Sequence, residues 1–271
     1  NVNQLKADMS KFFLIPIFII FILFISCSDD IDLVNSPNNQ CYLSVNTDSS
    51  TRYTEFTYFN GKILKRLNYN FVDGQKGDLQ SVVEFERNIL NELKSLKYYN
   101  GNNILEAIDS LEFNGMGQLY EVVTFNNKLE RVKRVYLIYD HNNNIIEERI
   151  FDFNMNWIIK IENTYIYDDN NRVITSIREQ KTTSSPLIDT VHYTYDDMVN
   201  VESMTKLYTP FKKNNIISEE KVFYLNNGTR ITELINYEYQ YNEKGYPISS
   251  KKTTTSSEST VFNYYDIKCS D

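Results

Sequence analysis

Glycine, proline, histidine, cysteine and tryptophan are scarce in this 271-residue chain, with 8, 5, 2, 3 and 1 copies respectively. With so few glycines there is no phosphate-cradling loop, and no Gly-x-Ser-x-Gly elbow or His-Glu-x-x-His pair occurs anywhere. His141 falls in a turn after Tyr139-Asp140, and His192 alternates with Val191 and Tyr193; neither has the spacing of a zinc ligand. Basic charge is short as well. Lys and Arg total 28 against 36 Asp and Glu, a net charge of −8 that argues against a nucleic-acid groove. The small basic clusters Lys212-Lys213 and Lys251-Lys252 read as solvated strand ends. No Pro/Gly-rich linker interrupts residues 41–271, so the sequence predicts one domain there. The apolar run Phe12 to Ile25 has 14 residues, too short for a spanning helix of about 20.

What the chain has in excess is aromatic side chains, 21 Tyr and 16 Phe, a composition that favours strands. Their arrangement is repetitive. In Tyr165 to Ile177, aromatic and β-branched residues run into Asp168-Asp169-Asn170-Asn171, and alternation resumes beyond Arg172. That is a β-hairpin signature. Variants occur at Tyr136 to Asp140, Tyr193 to Asp197 and Tyr237 to Asn242. Asn60-Gly61 and Asp73 to Gly77 are further turns. Phe113, Phe125, Tyr139, Phe153 and Tyr167 each precede an Asn- or Asp-led turn, at spacings of 12, 14, 14 and 14. So short a period has no room for parallel crossovers and describes an up-and-down meander. Past Tyr167 the spacing doubles, with extra turns midway at 183–186 and 210–214. Residues 79–98 allow a helix or two strands broken at Glu86-Arg87-Asn88; the hairpins on either side favour strands. Counting turns gives about 15 or 16 strands, too many for a flat sheet. The expectation is an all-β fold: a long antiparallel meander of repeated hairpins, curled into an open or nearly closed barrel-like sheet.

The repeat resembles the tyrosine-aspartate repeats of Rhs-type and wall-associated shell proteins, whose pattern is aromatic-x-Tyr-Asp, a short turn, then Gly-Arg-Leu. Tyr165 to Val173 is a near copy, with Asn171 at the glycine position. Asn is the next best residue there if the backbone turns left-handed. The resemblance spans most of residues 50–265 and implies architecture, with no reaction attached.

The start of the chain reads as an address. Met9 is the expected initiator, with residues 1–8 an upstream over-extension. Lys11, the apolar run, then Ser26 and Cys27 resemble a bacterial lipoprotein signal, although Phe24 and Ile25 depart from the usual box. The resemblance implies cleavage before Cys27 and a lipid on its thiol; an ordinary secretory signal cut nearby is the alternative. Ser28, Asp29 and Asp30 resemble the surface-export signal of Bacteroidetes lipoproteins. With the hairpin repeats, the chain resembles a Bacteroidetes outer-membrane lipoprotein. It would be anchored through Cys27 and displayed at the cell surface, with the periplasmic face open as well. The division is 1–26 leader, 27–40 tether, 41–271 β domain. Cys41 and Cys269 stand at opposite ends of that domain. They form either a disulfide or two separate buried thiols. A disulfide requires first and last strands to be neighbours, and would stabilise by about 4–5 kcal/mol on a chain-entropy account.

Candidate chemistry is thin. Asp168-Asp169, Asp196-Asp197, Glu147-Glu148 and Glu219-Glu220 are adjacent pairs, which a strand directs to opposite faces. The Asp pairs suit turn capping, and the turn at 168–171 lacks the alternating ligands of a calcium loop. No metal, cofactor or catalytic group is nominated. Tyr165/Tyr167, Tyr193/Tyr195 and Tyr237/Tyr239/Tyr241 recur at i, i+2 on one face of their strands. They would form either cross-strand core or a platform on which sugar rings or a peptide stack. The reading is a non-enzymatic, lipid-anchored scaffold or binding module for a glycan or envelope protein. The alternative is a carrier enclosing a small apolar ligand. An integral porin is disfavoured, because the strands lack a continuous lipid-facing apolar band.

Overall fold

The computed structural model describes residues 41–48, 52–153, 158–181, 187–201, 205–206, 208–211, 214–224, 229–256 and 259–269. Sixteen strands follow one another: β1 Cys41–Asp48, β2 Arg52–Phe59, β3 Lys62–Val72, β4 Gln75–Arg87, β5 Leu93–Asn100, β6 Leu105–Phe113, β7 Leu119–Asn126 and β8 Arg131–Tyr139. They continue as β9 Ile145–Asp152, β10 Ile158–Tyr167, β11 Val173–Gln180, β12 Leu187–Val199, β13 Asn214–Tyr224, β14 Arg230–Tyr241, β15 Pro247–Thr254 and β16 Ser259–Cys269. Each pairs antiparallel with its sequence neighbour, and β1 also pairs with β16, so the sheet closes into a barrel. Closure leaves no unpaired edge, which is what so many strands require. The contested stretch 79–98 is two strands joined at Asn88.

Among the described residues one turn design is used seven times. The side-chain Oδ1 of Asn88, Asn100, Asn114, Asn126, Asp140, Asp168 and Asn242 accepts the backbone N–H groups two and four residues on, at 2.8–3.0 Å. The residue three positions on has a positive φ: Asn91, Asn103, Gly117, Leu129, Asn143, Asn171 and Gly245. That pairing of an Asx turn with a left-handed residue and a bulge is a three-residue hairpin loop, and it explains why Asn and Asp lead every repeat. Asn171, with φ 58°, takes the left-handed position its place in the repeat implies. Asn60-Gly61 and Asp73-Gly74 are two-residue turns with positive φ at both positions. Gly77 belongs to β4 instead of the turn.

Strand alternation divides the side chains into two faces. Thr54, Phe56, Arg66, Val83, Leu96, Tyr98, Asp109 and Leu111 follow one another across β2 to β6 on one face, by cross-strand register and alternation. Val122, Val135, Leu137, Glu148, Tyr165, Ser176 and Tyr193 continue that face from β7 to β12. The segment joining β12 to β13 shows that this face is the lumen. Val201 packs with Leu43, Tyr265 and Phe56 on β1, β16 and β2, while Tyr208 packs on the cluster of Leu111, Val122, Leu137 and Ile145 across β6 to β9. Those walls lie on opposite sides of the ring. Val201 and Tyr208, seven positions apart in sequence, therefore lie against opposite walls of the bore.

The crossing segment corrects one expectation. Asp196-Asp197 was to lead a hairpin turn of its own, with a second turn at 210–214. Instead β12 runs through Asp196 to Val199 and β13 begins at Asn214, and of the described residues between them Val201, Tyr208 and Phe211 plug the barrel. The capping chemistry survives the insertion. Asp196 Oδ1 accepts from Met198 N, two residues on, and then from Asn215 N at 3.1 Å, in place of a residue four positions on. The plug is an insert within a Tyr-Asp turn.

Candidate functional site

In an up-and-down barrel, successive turns alternate between the two ends. The turns led by Asn88, Asn114, Asp140, Asp168 and Asn242 therefore share one end with Asn60-Gly61 and with the plug. At this Tyr-Asp end a tyrosine just before the turn reaches back to the previous hairpin. Tyr139 donates to the carbonyl of Leu119, Tyr167 to that of Ile145 and Tyr195 to that of Val173, at 2.6–2.7 Å. The accepting residues are each the first strand residue after a turn, and all three are buried. The tips are also laced together: Gln118 donates to Asn143, Asn144 to Asn171, and Arg172 pairs with Asp168 and Asp197. Burial pushes the Tyr139 hydroxyl up to about 12, and that of Tyr167 higher still, so both remain neutral donors.

Below these clasps lies the lumen site. A cavity of about 190 Å³ is lined by Leu137, Ile145, Glu148, Tyr165, Tyr208 and Phe211, among others. Phe211 meets the Tyr193 ring at 4.9 Å and the Tyr165 ring at 6.3 Å, both edge-on. Glu148 accepts from Asn163 Nδ2 at 2.6 Å and from the Tyr165 hydroxyl at 3.3 Å. Asp109 accepts from Tyr98 and Thr124, both at 2.6 Å, and Glu219 from Tyr237 at 2.6 Å. Thus three lumen carboxylates each hold a tyrosine hydroxyl. Desolvation, reinforced by the neighbouring carboxylate, raises the hydroxyl pKa of Tyr98 and Tyr165, so these tyrosines donate and do not act as bases. Arg66, also on this face, has a buried Nε with no hydrogen-bond partner among the described residues, and desolvation lowers its pKa. The wall offers ring faces, hydroxyls, carboxylates and the Arg66 guanidinium edge. Among the described residues, no three His, Cys, Asp or Glu side chains gather as a metal site would need.

The nominated tyrosines fall into two groups. Tyr165, Tyr167, Tyr193 and Tyr195 face the lumen but are engaged, two as clasps and two against Phe211. Tyr237, Tyr239 and Tyr241 form a stack along β14, with centroids 6.4 and 5.9 Å apart. Tyr241 also donates to Asp196 at the root of the plug. Sequence reasoning missed Arg66, Tyr98, Asp109, Tyr208 and Phe211. The odd-numbered alternation Ala107, Asp109, Leu111 was a signal for Asp109; only closure of the barrel could reveal the others. Cys41 and Cys269 are direct register partners across the β1–β16 seam. His141 is exposed in its turn, and His192 Nδ1 lies 3.1 Å from Thr175 Oγ1 on the outer face. Cys27, Ser28, Asp29 and Asp30 lie outside the described residues.

The outer face carries a series of ion pairs, with exposed apolar residues such as Ile166, Leu234 and Phe262 between them. Glu55–Lys76, Glu84–Lys65, Glu86–Lys97, Glu121–Arg134, Glu147–Arg149, Glu162–Lys181 and Glu238–Lys251 are spread over β2 to β5, β7 to β10, the end of β11, β14 and β15.

No protein-family description and no curated protein matches the chain. Solved structures do. A porin-like protein from Bacteroides uniformis is similar at a TM-score of 0.56 and 10% identity, over 85% of this chain and 97% of that one. A porin-like protein from Bacteroides vulgatus is similar at 0.52 and 12% identity, over 83% and 98%. The likeness is one of fold, a closed antiparallel barrel of matching extent.

Proposed function

We propose that this chain is a non-enzymatic envelope protein, anchored by a lipid on Cys27, whose barrel stands in water and binds a polar, ring-bearing ligand such as a glycan in its plugged lumen. The observation that carries the reading is the outer face. A barrel embedded in lipid needs an outward apolar band, and each Lys or Arg at the bilayer midplane costs about 2–4 kcal/mol. Here Lys65, Lys97, Arg134, Arg149 and Lys251 point outward within the strands, paired with carboxylates. Resemblance in fold to porin-like barrels therefore supports an envelope protein without supporting a pore.

Inside, tyrosines paired with carboxylates and the unpartnered Arg66 Nε favour a ligand with hydroxyls and a ring face. Tyr208 packs on the apolar cluster that contains Leu137 and Ile145, which leaves an aliphatic ligand only part of that wall. A glycan and lipid binding screen of residues 41–271 in detergent-free buffer tests the proposal. A monodisperse barrel should retain saccharides, and Arg66→Gln should weaken retention about tenfold, the scale of one buried charged contact. Solubility only in detergent, or retention of aliphatic lipids alone, would overturn it. For the anchor, palmitate incorporation should be lost in Cys27→Ala; equal labelling of both chains sinks that part.

A further inference from the structure

Apart from Gly101, where the Leu79 backbone leaves no room for a side chain, the outermost two positions of these turns are free of demands from the loop, because the Asx side chain and the left-handed residue build it. Most repeats fill those positions with polar residues or glycine: Gly101-Asn102, Asn127-Lys128, His141-Asn142, Asp169-Asn170 and Glu243-Lys244. Two do otherwise. The β4–β5 tip is Ile89-Leu90, exposed at 101% and 72%, and the β6–β7 tip carries Met116, exposed at 72%. The neighbouring β2–β3 hairpin at the same end shows Phe59 at 65% beside Asn60-Gly61. Three adjacent hairpins thus present large apolar side chains where turn chemistry asks for none. Lys62, Arg87 and Lys94 flank them, with Glu92 and Glu112. The other half of that end carries Asp140, Asp168, Asp169, Asp196 and Asp197.

The chain itself says what lies nearby. β1 starts at this same end, since its other terminus leads into the β1–β2 turn. The Tyr58 hydroxyl donates to the Leu43 carbonyl at 2.7 Å, which sets Phe59 beside the point where β1 begins. Residues 28–40 then separate the barrel from Cys27, at most about 45 Å of chain. We infer that the β2–β3, β4–β5 and β6–β7 tips dock on the bilayer surface that holds the Cys27 lipid, seating the barrel Tyr-Asp end down with its opposite mouth toward solvent. This inference rests on the lipid-anchor reading for its geometry. Apolar tips flanked by basic side chains suit the interfacial layer of an anionic membrane, and the anchor at Cys27 would hold them close to it.

The test uses the unlipidated chain from residue 27 with Cys27→Ser, floated with vesicles of phosphatidylethanolamine and phosphatidylglycerol. The parent should float, and Ile89→Ser/Leu90→Ser/Met116→Ser should lose at least about tenfold in partition while keeping its thermal midpoint. Val72→Ser/Leu129→Ser, which removes exposed apolar residues from the opposite end, should float like the parent. Failure of the parent to float, or equal flotation of the tip variant, overturns the inference. So does a tip variant that changes only self-association by light scattering, since the occupant would then be a second copy. Palmitate labelling at Cys27 is read separately, so loss of the anchor and loss of docking are distinguishable.

Discussion

The left-handed position of the repeated turn concentrates conformational cost on a single residue. Asn and Gly occupy it at Asn91, Asn103, Gly117, Asn143, Asn171 and Gly245, as backbone sterics favour. Leu129 occupies it too, with φ 62° and an exposed side chain. A Leu in that region is disfavoured by about 1–2 kcal/mol, and exposure means its side chain returns little packing. Leu129→Gly is therefore expected to stabilise the barrel by about 1 kcal/mol, part of the relief being offset by the freer unfolded chain. Urea unfolding followed by circular dichroism checks it; an unchanged or lower midpoint would count against strain at this site. Residue identity made turns such as Asn60-Gly61 and Asp168 to Asn171 legible from sequence alone. Leu129 was opaque, because a leucine at a turn gives no hint of positive φ.

At the scale of the element, the Asx turn explains both what could be read and what could not. An Asp or Asn leading each hairpin is local chemistry, so strand order and antiparallel pairing follow from sequence, while the helix left open across 79–98 is excluded only by the strands that meet at Asn88. The plug could not be read in that way. Tyr195-Asp196-Asp197 has the residues of a local turn, yet Asp196 caps Asn215 across an insert whose anchors, Val201 and Tyr208, find their partners on distant strands. Two turns, at Asp140 and Asp168, use a titrating cap where five use Asn. Burial raises their carboxyl pKa values, but this is outweighed by the N–H groups and side chains of Asn144 and Arg172, leaving both below the ordinary value of 3.8. A lowered folded value adds stability that is complete above the unfolded pKa and lost as pH falls through the folded one. Asp140→Asn/Asp168→Asn should then flatten the decline of the melting temperature between pH 6 and pH 3, at a modest cost at neutral pH from the missing Arg172 pair. Parallel melting curves for parent and variant across that range would reject titrating caps as a source of acid sensitivity.

The whole molecule depends on one long-range event. Every other ladder joins consecutive strands, whereas β1–β16 joins the two ends of the domain, and neither the Asx turns nor the tyrosine clasps encode it locally. The sequence carries one hint, the placement of Cys41 and Cys269, and in the closed barrel they are register partners across the seam. Directly paired residues in antiparallel strands have Cα atoms about 4.5–5.5 Å apart, within the span a disulfide accepts. Outside the cytoplasm the seam is expected to be covalent, which would make opening of the barrel from its ends impossible without reduction. Tryptic mapping of oxidised protein should yield a Cys41–Cys269 linked peptide, and reductant should lower stability by up to about 4–5 kcal/mol on the chain-entropy account. The Cys41→Ser/Cys269→Ser variant should behave like the reduced parent and no longer respond to reductant. Two free thiols in oxidised protein, or a parent indifferent to reductant, would mean that backbone hydrogen bonds and the Leu43–Tyr265–Val201 cluster hold the seam alone.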